Sequence, residues 1–326
     1  MRQYPYAVGR VRVMETRLLD RPKLERLLEA KNEEDVWRSL AETPYAGGAN
    51  AGNHYEEEII FQNRRKEVSD FLLKFAGEDP LVKVFLWRDD LHNLKVCVKA
   101  ETMKKDLRHL FLETGYFSVS LIKTAWERKT NDLPFWILKA VSEARKGLEE
   151  KLTSQEIDLT LDRCYFEEAT RIISAVGSPI YVEIWKKTID TNNFRNLVRS
   201  RIMKLTATQW EKVYIPGGTY SARTFQQLLE LDDEMLSQWM ENSTFAGLLK
   251  DDEKILNSLP RLEAAIDNYI YALWYEQKAD PFMPSALIAY YLAVEQEVKM
   301  VRLILAAKRN GLSGEHLRER IRHVGI

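Results

Sequence analysis

Two segments one hundred positions apart decide how this chain folds: DLHNLKVCVK at 90–99 and DTNNFRNLVR at 190–199. Both read Asp-x-x-Asn-apolar-basic-x-apolar-Val-basic. On a helix, positions 90, 93, 94 and 97 share one face, and so do 190, 193, 194 and 197. Beside that face runs a basic stripe, Lys95 and Lys99 in one copy and Arg195 and Arg199 in the other. A weaker third copy, EVKMVRLIL at 297–305, keeps the acid and places Arg302 in the stripe, with Met300 where Asn stood.

A second recurring marker sets the frame. LLDRPKLERLLE (18–29), YFSVSLIKTAWE (116–127) and TYSARTFQQLLE (219–230) align without a gap. Asp20, Ser118 and Ser221 fall on one column, and each is a good helix N-cap. Leu19, Phe117 and Tyr220 precede them, and Leu24, Ile122 and Phe225 follow four residues later, the spacing of a hydrophobic staple. Asp90, Asp190 and Glu297 follow these caps by 70, 72 and 76 positions. Asp79-Pro80, Ser178-Pro179 and Met283-Pro284 precede the three motif helices, the first two as N-cap and first helical residue. LFLETGYFS (110–118) parallels VYIPGGTYS (213–221), each an extended segment, a glycine turn and a new helix; PYAGG (44–48) parallels TFAGL (244–248).

Strict alternation is almost absent and helical spacing of apolar residues recurs throughout, so the chain reads as all-α. It divides into three divergent helical repeats, 1–113, 114–216 and 217–326, each the size of a small domain. Three similar units fit a ring, cup or funnel about an axis; a linear array fits equally well.

Composition narrows the class. The chain has 326 residues, a formal net charge of −1 and 30% charged residues, so no global field draws it to nucleic acid or to an anionic membrane. Cys97 and Cys164 form no disulfide framework, which points to a reducing compartment. The start, MRQYPYAVGRVRV, does not read as a signal peptide. The longest uncharged apolar-rich run, SALIAYYLAV at 285–294, is too short to span a bilayer.

Each chemical motif has a bland counterpart. Asp89, Asp90 and Asn93 superficially match the DDxx(D/N) box with which isoprenoid synthases hold magnesium and diphosphate. The second copy has Ile189 in place of Asp89, and no second metal box accompanies it, so a packing position where acid and amide satisfy neighbouring helix ends or side chains is the favoured reading. GGANAG (47–52) has the glycine spacing of a P-loop, but Asn53 and His54 stand where lysine and a hydroxyl are needed. The five histidines form no metal motif, and no nucleophile elbow is present. YIYALWY (269–275) and AYY (289–291) read as core before interface, and Arg318, Arg320 and Arg322 as a solvated basic tail.

The chain resembles the family of C subunits of the V/A-type ATPases, the counterparts of the d subunit of eukaryotic V-ATPase. The resemblance covers residues 5–320 and rests on LAETPYAGG (40–48), DLHNLK, DTNNFRNLVR, IPGGTYS (215–221), STFAGLL (243–249) and EVKMVR in that order. It implies a funnel of three pseudo-threefold-related helical domains, with no catalytic site and no cofactor. It implies a central-stalk socket between the rotor shaft, made of the D and F subunits, and the membrane ring of proteolipid (c/K) subunits. Such a protein would sit on the cytoplasmic face and meet the membrane only through the ring, while the complex moves H⁺ or Na⁺ or makes ATP. Partner contacts are expected from the stripe of Lys95, Lys99, Arg195, Arg199 and Arg302. They are also expected from the glycine-rich loop at Tyr45, Gly47 and Gly48 with its echo at Phe245 and Gly247. An unrelated helical-repeat adaptor is the alternative, and a magnesium-dependent isoprenoid-type enzyme a more remote one.

Overall fold

A computed structural model describes residues 4–47, 54–128, 132–204, 207–249, 255–312, 317–318 and 320–322. Those residues are helical with connecting turns, and none of them forms a β-strand. They form two compact units, Met1–Gly77 with Ala246–Ile326 (unit 1) and Glu78–Phe245 (unit 2).

Unit 1 contains α1 (Tyr4–Glu15), α2 (Arg21–Glu29), α3 (Glu33–Ser39) and α4 (His54–Ala76). From the far end of the chain it takes α13 (Ala246–Leu249), α14 (Leu259–Tyr275) and α15 (Ser285–Arg309). Helix α15 is its axis. Leu287, Ile288, Tyr290, Val294, Val298 and Val301 are all buried, and α1, α4 and α14 pack around it. Over residues 285–294 every position is buried, so this part of the helix is apolar all round rather than along one stripe; Lys299, Ala306 and Arg309 further along are exposed.

Unit 2 contains α5 (Pro80–Met103), α6 (Val119–Glu127), α7 (Phe135–Glu149), α8 (Ser154–Val176) and α9 (Pro179–Met203). Its remaining helices are α10 (Ala207–Val213), α11 (Ala222–Leu229) and α12 (Asp233–Glu241). Helices α5 and α8 pack along their length, and α7 and α9 flank α8. Asp79 caps α5 through Leu81 N–H, with Pro80 in the first turn. Lys104 and Lys204 close α5 and α9 in the left-handed region, at φ 50° and 54°, so these two helices end alike.

The three aligned caps form as local sequence dictates. Asp20, Ser118 and Ser221 accept from the backbone N–H of Lys23, Leu121 and Thr224. The aromatic runs lie largely inside: Trp274 and Tyr271 are buried, as are Ala289, Tyr290 and Tyr291. Arg318 pairs with Glu25, and Arg322 with Asp267, so part of the basic tail is tied to unit 1.

Candidate functional site

The repeated acids act on the helix lead-ins. In unit 2, Asp90 of α5 accepts from Tyr116 N–H (3.0 Å) and Phe117 N–H (3.1 Å), the two residues before cap Ser118. Asp190 of α9 accepts from Thr219 N–H (2.9 Å) and Tyr220 N–H (3.3 Å), the two before cap Ser221. In unit 1, Glu297 of α15 accepts from Leu19 N–H (2.7 Å), just before cap Asp20. The sequence frame pairs each acid with the cap before it. The hydrogen bonds pair Asp90 with the lead-in of cap Ser118, Asp190 with that of cap Ser221 and Glu297 with that of cap Asp20.

The asparagines complete each latch in unit 2. Asn93 donates to Leu112 C=O and accepts from Leu112 N–H, both at 2.8 Å. Asn193 does the same with Ile215, at 2.7 and 2.8 Å. One amide side chain thus satisfies both groups of one extended residue, as a neighbouring strand would. Glycines let the carboxylates approach. A Cβ on Gly115 would lie 2.2 Å from Asp90 Oδ1, and one on Gly218 would lie 2.1 Å from Asp190 Oδ1. The change from Asp89 to Ile189 has its own partner change. Asp89 accepts from the Thr114 hydroxyl, whereas Ile189 packs where a Cβ on Gly217 would intrude.

In unit 1 the latch is rebuilt. Glu297 is fully buried, and Tyr45 O–H (2.9 Å) and Arg64 Nε–H (3.3 Å) donate to the Oε1 that does not hold Leu19. Met300 replaces the asparagine, and its sulfur accepts from Arg322 N–H at 3.3 Å. The C-terminal segment therefore passes α15 much as Leu112 and Ile215 pass α5 and α9. Burial pushes all three acids, Asp90, Asp190 and Glu297, above the ordinary carboxyl range, against the pull of their donors. Asp90 and Asn93 are fully buried and their polar atoms are occupied by backbone, so neither is presented to a diphosphate. Among the described residues no group of three or more His, Cys, Asp or Glu is placed to hold a metal ion.

The basic stripe of unit 2 converges on a cleft between α8 and α9. Lys95 Nζ lies 2.6 Å from Asp162, and Lys99 Nζ lies 3.0 Å from Asp158. Arg195 and Arg199 border the same cleft, and Arg195 donates to Asn192 Oδ1 at 2.9 Å. Burial raises the Asp162 carboxyl in spite of Lys95. A readable signal existed for this pairing: Asp158 and Asp162 on α8 carry the same four-residue spacing as Lys95 and Lys99 on α5. Arg302, in unit 1, pairs with Glu58 and covers the Phe61 ring.

The glycine-rich candidates separate into core and surface. Tyr45 and Phe245 are buried; Phe245 stacks on Tyr220 in unit 2, while Tyr45 packs on Phe61 in unit 1. Gly247 lets α13 approach Tyr269, whose ring a Cβ would meet at 2.5 Å. Gly47 is exposed. Gly48 and residues 49–53 of the GGANAG segment lie outside the described residues. Arg64, the buried counter-charge of Glu297, carried no motif in the sequence.

These features define, among the described residues, an all-helical protein in which Asp90, Asn93, Asp190 and Asn193 are spent on its own backbone. The chain belongs to the ATP synthase (C/AC39) subunit family, whose family model matches residues 7–320. It is 27% identical to the C subunit of the V-type sodium ATPase of Enterococcus hirae, over 96% of both chains. It is 23% identical to the C subunit of the A-type ATP synthase of Pyrococcus abyssi, over 98% of this chain and 90% of that one. It is 23% identical to the corresponding A-type ATP synthase C subunit of Methanosarcina barkeri, over 98% and 92%. A chain of this family is a component of a rotary ATPase. No helix among the described residues is long and apolar enough to cross a membrane.

Proposed function

We propose that this chain is the non-catalytic central-stalk component of a V/A-type ATPase, a socket that joins the rotor shaft to the proteolipid ring. The shaft would be formed by the D and F subunits, and the ring would carry H⁺ or Na⁺. In this reading the three repeats, 1–113, 114–216 and 217–326, are pseudo-threefold-related domains of a funnel on the cytoplasmic face. ATP hydrolysis in the head turns the shaft, the socket turns with it, and the ring follows; the reverse direction makes ATP.

The observation that carries the reading is the family match over residues 7–320. The latches supply the physical support. A torque transmitter has to hold its helices at fixed angles, and a buried carboxylate bonded to the first amides of the next repeat does this with little freedom. Reconstitution tests it. Purified head with shaft, purified ring and this chain should form one complex that couples ATP hydrolysis to ion movement. Head and ring that join and couple equally well without the chain would overturn the proposal.

A further inference from the structure

Helix α1 is apolar on two faces. Tyr4, Ala7, Val8 and Val11 form its buried face, and α15 and α4 pack against the helix. The opposite face carries Tyr6, Gly9 and Val13 in one stripe, at the spacing by which helices contact each other. Tyr6 is 57% exposed and Val13 63%. A helix apolar on both faces is ordinarily enclosed on both, and this one is enclosed on one. The outer stripe lines a groove of about 490 Å³, together with Met14 and with Glu67 of α4.

Arg10 and Arg17 run along the edge of the stripe, seven residues and about 10.5 Å apart. Arg10 lies over the Phe71 and Phe75 rings, 5.8 and 5.9 Å from their centroids, and Tyr6 packs on Phe75 at 5.5 Å. Neither arginine has a carboxylate partner among the described residues. The carboxylate in the groove, Glu67, is already paired with Arg64 at 3.0 Å. Two positive charges beside an apolar stripe are therefore left uncompensated.

Gly9 stands in the middle of the stripe. A Cβ there would meet nothing within 4 Å, so no neighbour in the chain needs the space. Glycine inside a helix is less stable than alanine, which makes it a cost without an internal return. Gly147 of α7 is different, since a Cβ there would lie 3.0 Å from Ile157. A bare backbone at the centre of an exposed stripe lets a second backbone come close.

We infer that this face docks an acidic amphipathic helix of a partner protein. Its apolar side chains lie on Tyr6, Gly9 and Val13, and carboxylates two turns apart meet Arg10 and Arg17. The 12 residues of α1 span about 18 Å, enough for just over three turns of such a helix. A second copy of this chain is a poor occupant, because it brings the same uncompensated arginines into one interface. The docking is independent of the socket role and is measured without shaft or ring.

The test is a displayed library of helical peptides of about 18 residues, panned against the full chain. Each peptide carries a fixed Leu/Ala stripe, and its other positions vary among Ala, Gln, Lys and Glu. Panning should enrich peptides with two glutamates seven residues apart beside the stripe. By fluorescence anisotropy, an enriched peptide should bind at least tenfold more weakly to Arg10→Gln with Arg17→Gln. Gly9→Leu should weaken binding as much while leaving Tm unchanged or raised, which a purely structural role of Gly9 would not produce. No enrichment, enrichment without the acid pair, or binding that both variants leave unchanged overturns the inference. Two controls name other occupants. Sedimentation with phosphatidylglycerol vesicles that the arginine variant abolishes, with no peptide enriched, assigns the face to a lipid surface and overturns it. A dimer of the chain that Gly9→Leu dissociates assigns the face to a second copy and also overturns it.

Discussion

The latches of unit 2 and unit 1 perform one task with different chemistry. In unit 2 a short aspartate reaches the lead-in amides because a glycine lies against it, and an asparagine holds the extended residue three positions before that glycine. In unit 1 the column that holds Gly115 and Gly218 is occupied by exposed Arg17, and the acid is the longer Glu297. The extra methylene spans the gap that glycine closes in unit 2. The longer side chain is fully enclosed, and Arg64 and Tyr45 answer its charge. Sequence identity is therefore a poor guide to what is kept. The amide just before each cap is satisfied in all three cases.

The two units differ most in what Arg64 carries. Arg64→Met should cost about 3–5 kcal/mol, because it leaves a buried carboxylate without its counter-charge. Urea unfolding followed by a probe in unit 1 reads this. A loss below about 1 kcal/mol would mean that Glu297 is held neutral and needs no cation.

The asparagine column comes next. Asn193→Ala should cost about 2–4 kcal/mol, since it strands both polar groups of Ile215 at about 1–3 kcal/mol each. Met300→Leu, the same column in unit 1, should cost under about 1.5 kcal/mol, because size is kept and only a weak sulfur acceptor is lost. Equal losses would show that the two columns do the same work.

The glycine column sharpens the contrast. Gly218→Ala forces Asp190 from its place and should cost about 2–3 kcal/mol. Arg17→Ala at the matching exposed position should stay within about 0.5 kcal/mol. Hydrogen exchange at Thr219 and Tyr220 should accelerate in the first variant, whereas no amide of unit 2 should change in the second.

The smallest effect depends on pH. Burial would raise Asp267, but Lys299 and Arg322 overcome it and hold the carboxyl down at about 2. A depressed carboxyl stabilises the fold above its unfolded pKa, near 4, and that stability is lost as pH falls through about 2. The contribution is about 2 kcal/mol at neutral pH. Asp267→Asn should remove it, so that variant and wild type converge as the pH is lowered from 4 to 2. Melting curves in that window check the sign; a gap that widens on acidification would refute it.

Much of this was legible in the sequence because its causes are local. A cap reaches an amide three residues away, so Asp20, Ser118 and Ser221 could be placed from spacing alone. The repeated Asp and Asn could be recognised as a signature of a repeated unit, because packing positions recur with the fold. The paired contacts, Asp89 with Thr114 and Ile189 beside Gly217, were visible as residues but not as pairs.

What the sequence determined by itself is the helical class and the positions where helices begin, both consequences of short-range backbone chemistry. Tertiary structure alone decided which cap each acid serves. Those bonds join residues 27, 30 and 278 positions apart, and a carboxylate bonds whichever amide the fold brings to it. Tertiary structure also turned the basic stripe of unit 2 toward a cleft, because only packing of α5 and α9 against α8 sets Lys95 and Lys99 on its carboxylates with Arg195 and Arg199 beside them.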